Sequence, residues 1–127
     1  VLNLDRPKPL PSTLRSKKRY IAFQVMSEKK ILNDDIFSGI WHSLLNFLGE
    51  YGVAKSGFWL LKTTYIEDKQ LGLIKCNHDS VEEVRSALAV MQRIGDSRVI
   101  VKVLGVSGTI KAAQKKFFDE VDLFNFT

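Results

Sequence analysis

The side chains able to do chemistry are few, and they separate into groups that move protons and groups that hold phosphate. His42 and His78 are the two imidazoles of the chain. A pair of such groups, one taking a proton while the other gives one, is what a metal-free ribonuclease would need. The sequence gives them no supporting cast: His42 falls near the polar side of an expected helix and His78 at the end of an expected strand, so no catalytic residue is assigned. Cys76-Asn77-His78-Asp79 carries metal-capable atoms. Its close spacing in a strand-to-helix turn lacks a second ligand pair, so the expectation is a packed thiol, a surface histidine and no metal site.

The phosphate-handling groups are two. Arg15-Ser16-Lys17-Lys18-Arg19-Tyr20 sets four cations ahead of a strand whose beginning is aromatic. Arg19 can pair bidentately with a phosphate and Tyr20 can stack on a base, which makes the run a candidate clamp on RNA backbone. A solvated basic flank that keeps a strand edge soluble is the plainer alternative. The second group is Gly105-Val106-Ser107-Gly108-Thr109-Ile110-Lys111, a strand-to-helix junction with two glycines. Backbone N–H groups at such a helix start, with Ser107 and Thr109 beside them, suit a phosphate. Lys111 and Lys115 lie one helical turn apart with Lys116 adjacent, which adds cations to the same element. The spacing matches neither a P-loop nor a dinucleotide fingerprint, so nucleotide hydrolysis has no support.

Charge is distributed unevenly along the 127 residues, whose formal net charge is +5. Residues 1 to 30 carry eight Lys/Arg against Asp5 and Glu28, a net +6, and the rest of the chain sums to −1. A basic arm on a nearly neutral body suits a polyanion, because each cation that neutralises a phosphate releases condensed counterions. Acidic lipid would attract the same arm, but no amphipathic anchor or lipidation motif accompanies it. No apolar run approaches the roughly 20 residues that span a bilayer. The polar, proline-bearing opening has no apolar signal region, so a cytoplasmic location is expected. One cysteine, Cys76, excludes an internal disulfide.

These residues must be positioned by a small number of elements. Pro7, Pro9 and Pro11 impose an extended, polyproline-like lead-in, so residues 1–14 read as a basic tail. Arg19–Met26 alternates, with Ile21, Phe23 and Val25 on one face, as a half-buried strand does. Asn33, Asp34 and Asp35 offer caps for a helix carrying Ile36, Phe37, Ile40, Trp41, Leu44, Leu45 and Leu48, which Gly49 and Gly52 should stop. Phe58–Tyr65 and Leu71–Asn77 are apolar and β-rich, and predict a hairpin. Ser80-Val81-Glu82-Glu83 has the form of a capping box before a second helix with Val81, Val84, Leu88 and Met91, ended by Gly95. Val99–Leu104 predicts a last strand, and Thr109 can cap a third helix carrying Ile110, Ala113, Phe117 and Phe118. Trp41, Trp59, Phe37, Phe47 and Phe58 fall on faces expected to be buried.

The order β-α-β-β-α-β with a trailing helix is that of an α+β, ferredoxin-like (RRM-like) split sandwich, an antiparallel four-stranded sheet with two helices on one face. Residues 15–118 would form this RNA-binding domain, followed by an acidic and aromatic tail at 119–127. The third strand, Leu71–Cys76, lacks the basic-Gly-aromatic signature of RNA-recognition motifs. The sheet face is therefore expected not to read single-stranded sequence and to be free for protein contacts.

Four stretches carry a family resemblance: Thr13–Tyr20, Leu48–Gly52, Val84–Leu88 and, most specifically, Val103–Lys111. Over about residues 12 to 118 the chain resembles the ribonuclease P protein component 2 family of archaea and eukaryotes. The resemblance implies a ferredoxin-like protein that is not catalytic alone and that assembles with a catalytic RNA removing the 5′ leader of precursor tRNA. The RNA holds the reacting groups and the magnesium ions, and the protein binds no cofactor itself. Partners implied are that RNA, ribonuclease P protein component 3 in a 2:2 assembly, other ribonuclease P proteins and, within the holoenzyme, precursor tRNA. The resemblance also implies RNA contact by Arg15, Lys17, Lys18, Arg19, Ser107, Thr109 and Lys111. Competing readings are another ferredoxin-like RNA-binding module, a small-molecule regulatory module, which has no need of a +6 arm, and a self-sufficient ribonuclease built on His42 and His78.

Overall fold

A computed structural model of the chain describes residues 17–118. Arg15 and the expected tails at 1–14 and 119–127 lie outside the described residues. Strand β1 (Lys18–Ser27) is central, because its alternating Ile21, Phe23 and Val25 can be buried only under helices while its other edge residues hydrogen-bond on both sides. It pairs antiparallel with β3 (Leu71–Asn77) and with β5 (Ser97–Ser107). Short β2 (Trp59–Leu60) flanks β3, and β4 (Arg93–Ile94) flanks β5, giving the order β2-β3-β1-β5-β4. This is the antiparallel split βαβ sheet of the ferredoxin-like fold, extended by a small hairpin strand.

Helices α1 (Asn33–Ser56) and α2 (Val81–Ala89) cover one face. Ile36, Ile40 and Leu44 of α1 and Val84 and Leu88 of α2 meet Ile21, Phe23, Val25 and Ile74 of the sheet, all at 5% exposure or less. Burying side chains of this size stabilises by roughly 1.5–3 kcal/mol each relative to exposure, which makes this cluster the main source of stability. The third helix, α3 (Ile110–Ala113, continued as a π turn through Phe118), packs on the opposite face, where Ala113, Phe117 and Phe118 lie over Ala22, Leu71 and Leu73. The face expected to be free for protein contacts is thus partly covered by the chain's own helix. Strand β3 offers no exposed side chain on it; Lys75 and Asn77 are half-buried and the other five residues are buried.

Several local expectations are corrected. Helix α1 does not end at Gly49 but kinks there (φ 75°, ψ 171°) and resumes to Ser56, where left-handed Gly57 (φ 61°) caps it. Its first residue follows Leu32 with no side-chain cap, so Asn33 does not serve as one, and Asp34 and Asp35 act only as acids in the first turn. Ser80 likewise makes no cap hydrogen bond: a 3-10 turn over His78–Ser80 feeds α2 directly and leaves Ser80 buried. Of Phe58–Tyr65 only Trp59–Leu60 is strand, since Lys62–Thr64 turns as 3-10 helix. Helix α2 stops at Ala89, and Gly95 (φ 60°) instead turns the β4–β5 hairpin.

Strand β5 outruns the expected Val99–Leu104 at both ends, and a bulge in it is decisive for the site. Ala22 pairs with Gly105 and Phe23 with Val103, so Leu104 is an extra residue. The bulge shifts the phase of the strand, letting Val106 pack with the helix-side core while Leu104 joins the cluster under α3.

Candidate nucleic-acid interface

The two phosphate-handling segments meet at one end of the sheet. Tyr20 is in register with Ser107 on one side and Lys75 on the other, so these three side chains share the face that α3 occupies. Lys18, one turn of the pleat earlier, is in register with Asn77. Arg19, of the same parity as Ile21, leans toward the helix side and donates from Nη1 to the Lys18 carbonyl at 2.9 Å. The cations therefore straddle the end of the sheet instead of lining a single face.

Asn77 organises this end and was not singled out from sequence. Its Oδ1 accepts from Lys18 Nζ, and its Nδ2 donates to the Lys55 carbonyl at 2.8 Å, tying β1 and β3 to the last turn of α1. The left-handed Gly57 leaves space for it, since a Cβ there would stand 3.0 Å from Asn77 Oδ1. Lys17 is anchored by its backbone, its carbonyl accepting the His78 N–H at 2.8 Å with His78 Nδ1 at 3.3 Å. His78 is thereby occupied in holding the strand start.

Thr109 caps α3 as expected, its Oγ1 accepting the Ala112 N–H at 3.1 Å. With that oxygen engaged, what Thr109 contributes to a phosphate is the shape of the turn more than a free hydroxyl. Lys111, Lys115 and Lys116 are exposed on α3, and Lys116 Nζ rests 5.5 Å from the centre of the Phe117 ring. Gly105 lies beneath the same ring: a Cβ there would be 2.3 Å from Phe117 Cε1 and Cζ. Its role is space for Phe117, and its φ is one that other residues adopt.

The strands, α3 and its π turn carry nine cations and no acid. Every acid among the described residues lies on α1, on α2 and its entry turn, or in a loop. The near-neutral body read along the sequence is therefore segregated in space, with positive charge on the sheet and its third helix.

The proton-moving candidates are not brought into one site. His42 lines a groove of about 380 Å³ with Asp34, Trp41, Trp59 and Lys62, whereas His78 faces the Lys17 carbonyl. Cys76 is fully buried, and burial pushes its thiol up to about 11. Among the described residues no cluster of three or more His, Cys, Asp or Glu could hold a metal ion, and no helix is long and apolar enough to cross a membrane. The expected burial of the aromatic residues is corrected in part: Phe58 is buried and Phe37 half-buried, but Trp41, Phe47 and Trp59 are 42%, 48% and 65% exposed. Trp41 and Trp59 border the groove with His42, because β2 is only two residues long and leaves that edge uncovered.

The sequence profile of the Rpp14/Pop5 family matches residues 19–118. A curated relative from Pyrococcus furiosus, named ribonuclease P protein component 2, is 47% identical over 116 residues, covering 91% of this chain and 95% of its own. A relative of the same name from Methanocaldococcus jannaschii is 34% identical over 114 residues, covering 90% and 82%. A chain in the cryo-EM structure of yeast ribonuclease MRP aligns with a TM-score of 0.56 at 14% identity, over 87% of this chain and 92% of that one, which speaks for the fold. Because the match runs from Arg19 at the cationic end of β1 through the bulged strand to Phe118 on α3, the chain belongs to the Rpp14/Pop5 family, beside the ribonuclease P protein component 2 proteins.

Proposed function

We propose that the chain is a non-catalytic subunit of ribonuclease P that binds and organises the catalytic RNA during removal of the 5′ leader from precursor tRNA in the cytoplasm. The observation that carries this reading is the meeting of Lys17, Lys18, Arg19 and Tyr20 with Ser107 and the α3 lysines at one end of an acid-free sheet, in a chain of this family. Cations there would neutralise RNA phosphates, with Arg19 and Tyr20 offering a bidentate donor and a stacking ring. Arg15 and the preceding basic residues would extend the contact. The magnesium ions and the reacting groups belong to the RNA, so the protein's part is electrostatic and architectural.

The exposed Trp41 and Trp59 edge supports a protein neighbour, since large indoles on a surface groove are what protein interfaces bury. Protein component 3, in a 2:2 assembly and with the other ribonuclease P proteins, is the partner proposed. The test of RNA binding is the triple variant Lys17→Ala, Lys18→Ala, Arg19→Ala. It should weaken binding to ribonuclease P RNA and flatten the slope of log affinity against log salt by up to about three units. An unchanged slope would remove these residues from the phosphates.

A further inference from the structure

The far end of the sheet carries a second cationic cluster that no motif marks. Arg93 of β4 and Arg98 of β5 stand directly opposite each other in register, and Lys102 lies further along the same face of β5. Like charges placed opposite across strands repel. Among the described residues none of these three side chains has a hydrogen-bond or ion-pair partner, although Glu28 and Asp96 are close by on loops. Between the cations, Met26 and Ile100 form a cross-strand pair that is 51% and 67% exposed. Guarding a sheet edge would explain an arginine on the two-residue strand β4. It does not explain cations continuing inward to Lys102, which is in register with Gln24 of the central strand, around an apolar floor.

We propose that Arg93, Arg98 and Lys102 form a second RNA-phosphate contact, with the Met26–Ile100 pair lying under the sugar edges. This deepens the ribonuclease P reading and rests on it. Charge complementarity selects the occupant, because three cations that the neighbouring loop acids Glu28 and Asp96 leave unpaired, on strands that carry no acid, suit a backbone of closely spaced phosphates. The cluster is also independent of the first. Lys102, the nearest of the three, is opposite Gln24, six positions from Lys18 on β1, about 20 Å at ~3.3 Å per residue. That exceeds the Debye length of about 8 Å at physiological salt. Lys111, Lys115 and Lys116 on α3 lie on the same side of the sheet as the far-end cluster and as Lys18 and Tyr20 of the near one, so one RNA can follow this side of the protein from end to end.

The experiment compares three forms of the full chain: unsubstituted, the near-end triple variant above, and a far-end variant carrying Arg93→Ala, Arg98→Ala and Lys102→Ala. Each is titrated with full-length ribonuclease P RNA and with a six-pair RNA hairpin. The hairpin's A-form stem rises less per step than the ~3.4 Å of a B-form duplex, so its six pairs span under ~20 Å and reach one cluster at a time. The far-end variant should lose about two to three units of salt slope on the full RNA. The loss of affinity between 50 and 200 mM salt then shrinks roughly 16- to 64-fold, while hairpin affinity changes by no more than about twofold. A charge-retaining variant, Arg93→Lys with Arg98→Lys and Lys102→Arg, should bind as the unsubstituted chain does, which separates electrostatics from misfolding.

Unchanged binding of the full RNA by the far-end variant, with loss in the near-end one, would overturn this inference and leave the proposed function standing. Failure of the unsubstituted chain to bind the RNA would overturn both. Retained RNA affinity together with lost co-assembly with the other ribonuclease P proteins would make the face a protein interface and refute the RNA assignment.

Discussion

Substituting Gly105 by alanine tests how α3 is held over the sheet. The added Cβ would lie 2.3 Å from two ring atoms of Phe117, where ordinary contacts begin near 3.4 Å, so the ring must retreat by more than 1 Å. Phe117 is 8% exposed and closes the cluster formed by Ala22, Leu71, Leu73 and Ala113, so retreat means losing that packing. Overpacking of this kind costs about 1–3 kcal/mol. For a domain of about 100 residues that is a fall in Tm on the order of 10 °C. The substitution needs no unusual backbone angle, so the whole cost should run through the ring. Thermal and urea unfolding of Gly105→Ala, Phe117→Ala and the double variant checks this. With the ring gone, the alanine should be nearly free, giving a coupling of about 1–3 kcal/mol between the two sites. Additive costs would refute the packing argument, and so would a Gly105→Ala protein as stable as the original.

Two further outcomes follow from buried polar groups. Gln70, left-handed at φ 53°, accepts from the Ile31 N–H at 2.9 Å and donates to the Val25 carbonyl at 2.8 Å. Gln70→Ala should cost about 2–3 kcal/mol in urea unfolding, because it strands two main-chain groups away from water; a cost below about 0.5 kcal/mol would contradict that role. Cys76, with its thiol raised from 9.0 to about 11 by burial, Lys18 opposing and Asp79 adding, should resist alkylation in the folded chain at pH 8. Its folded value lies above the unfolded one, so its contribution is complete below about pH 9 and is lost as pH climbs through about 11. Stability should therefore fall across that window by ~2–3 kcal/mol, and the fall should shrink in Cys76→Ala; an identical pH profile in that variant would contradict the assignment.

Alternation and helical spacing made most of the architecture legible. Ile21, Phe23 and Val25, and Ile36, Ile40 and Leu44, are buried as their periodicity requires, and the split βαβ order follows from where they fall. The trailing helix was legible from Thr109, but its docking face was not, because Phe117 and Phe118 are equally apolar toward any surface. The bulge at Leu104 depends on cross-strand register, which one strand's sequence does not encode. Trp41 and Trp59 read as core by residue type, yet a two-residue β2 leaves nothing to cover them. Of the site, the amino-terminal cations and Gly105–Lys111 were visible as local motifs. Arg93, Arg98 and Lys102 were hidden by averaging, since the acids that cancel them along the chain fold onto helices and loops.

The central claim is that this chain acts by organising a catalytic RNA, and reconstitution tests it most directly. Precursor tRNA cleavage is measured with ribonuclease P RNA and the other ribonuclease P proteins, at moderate magnesium, with and without this chain. The account predicts that adding the chain together with component 3 raises the cleavage rate, while the chain alone cuts nothing. Cleavage by the chain alone, or a rate indifferent to its presence, would contradict it.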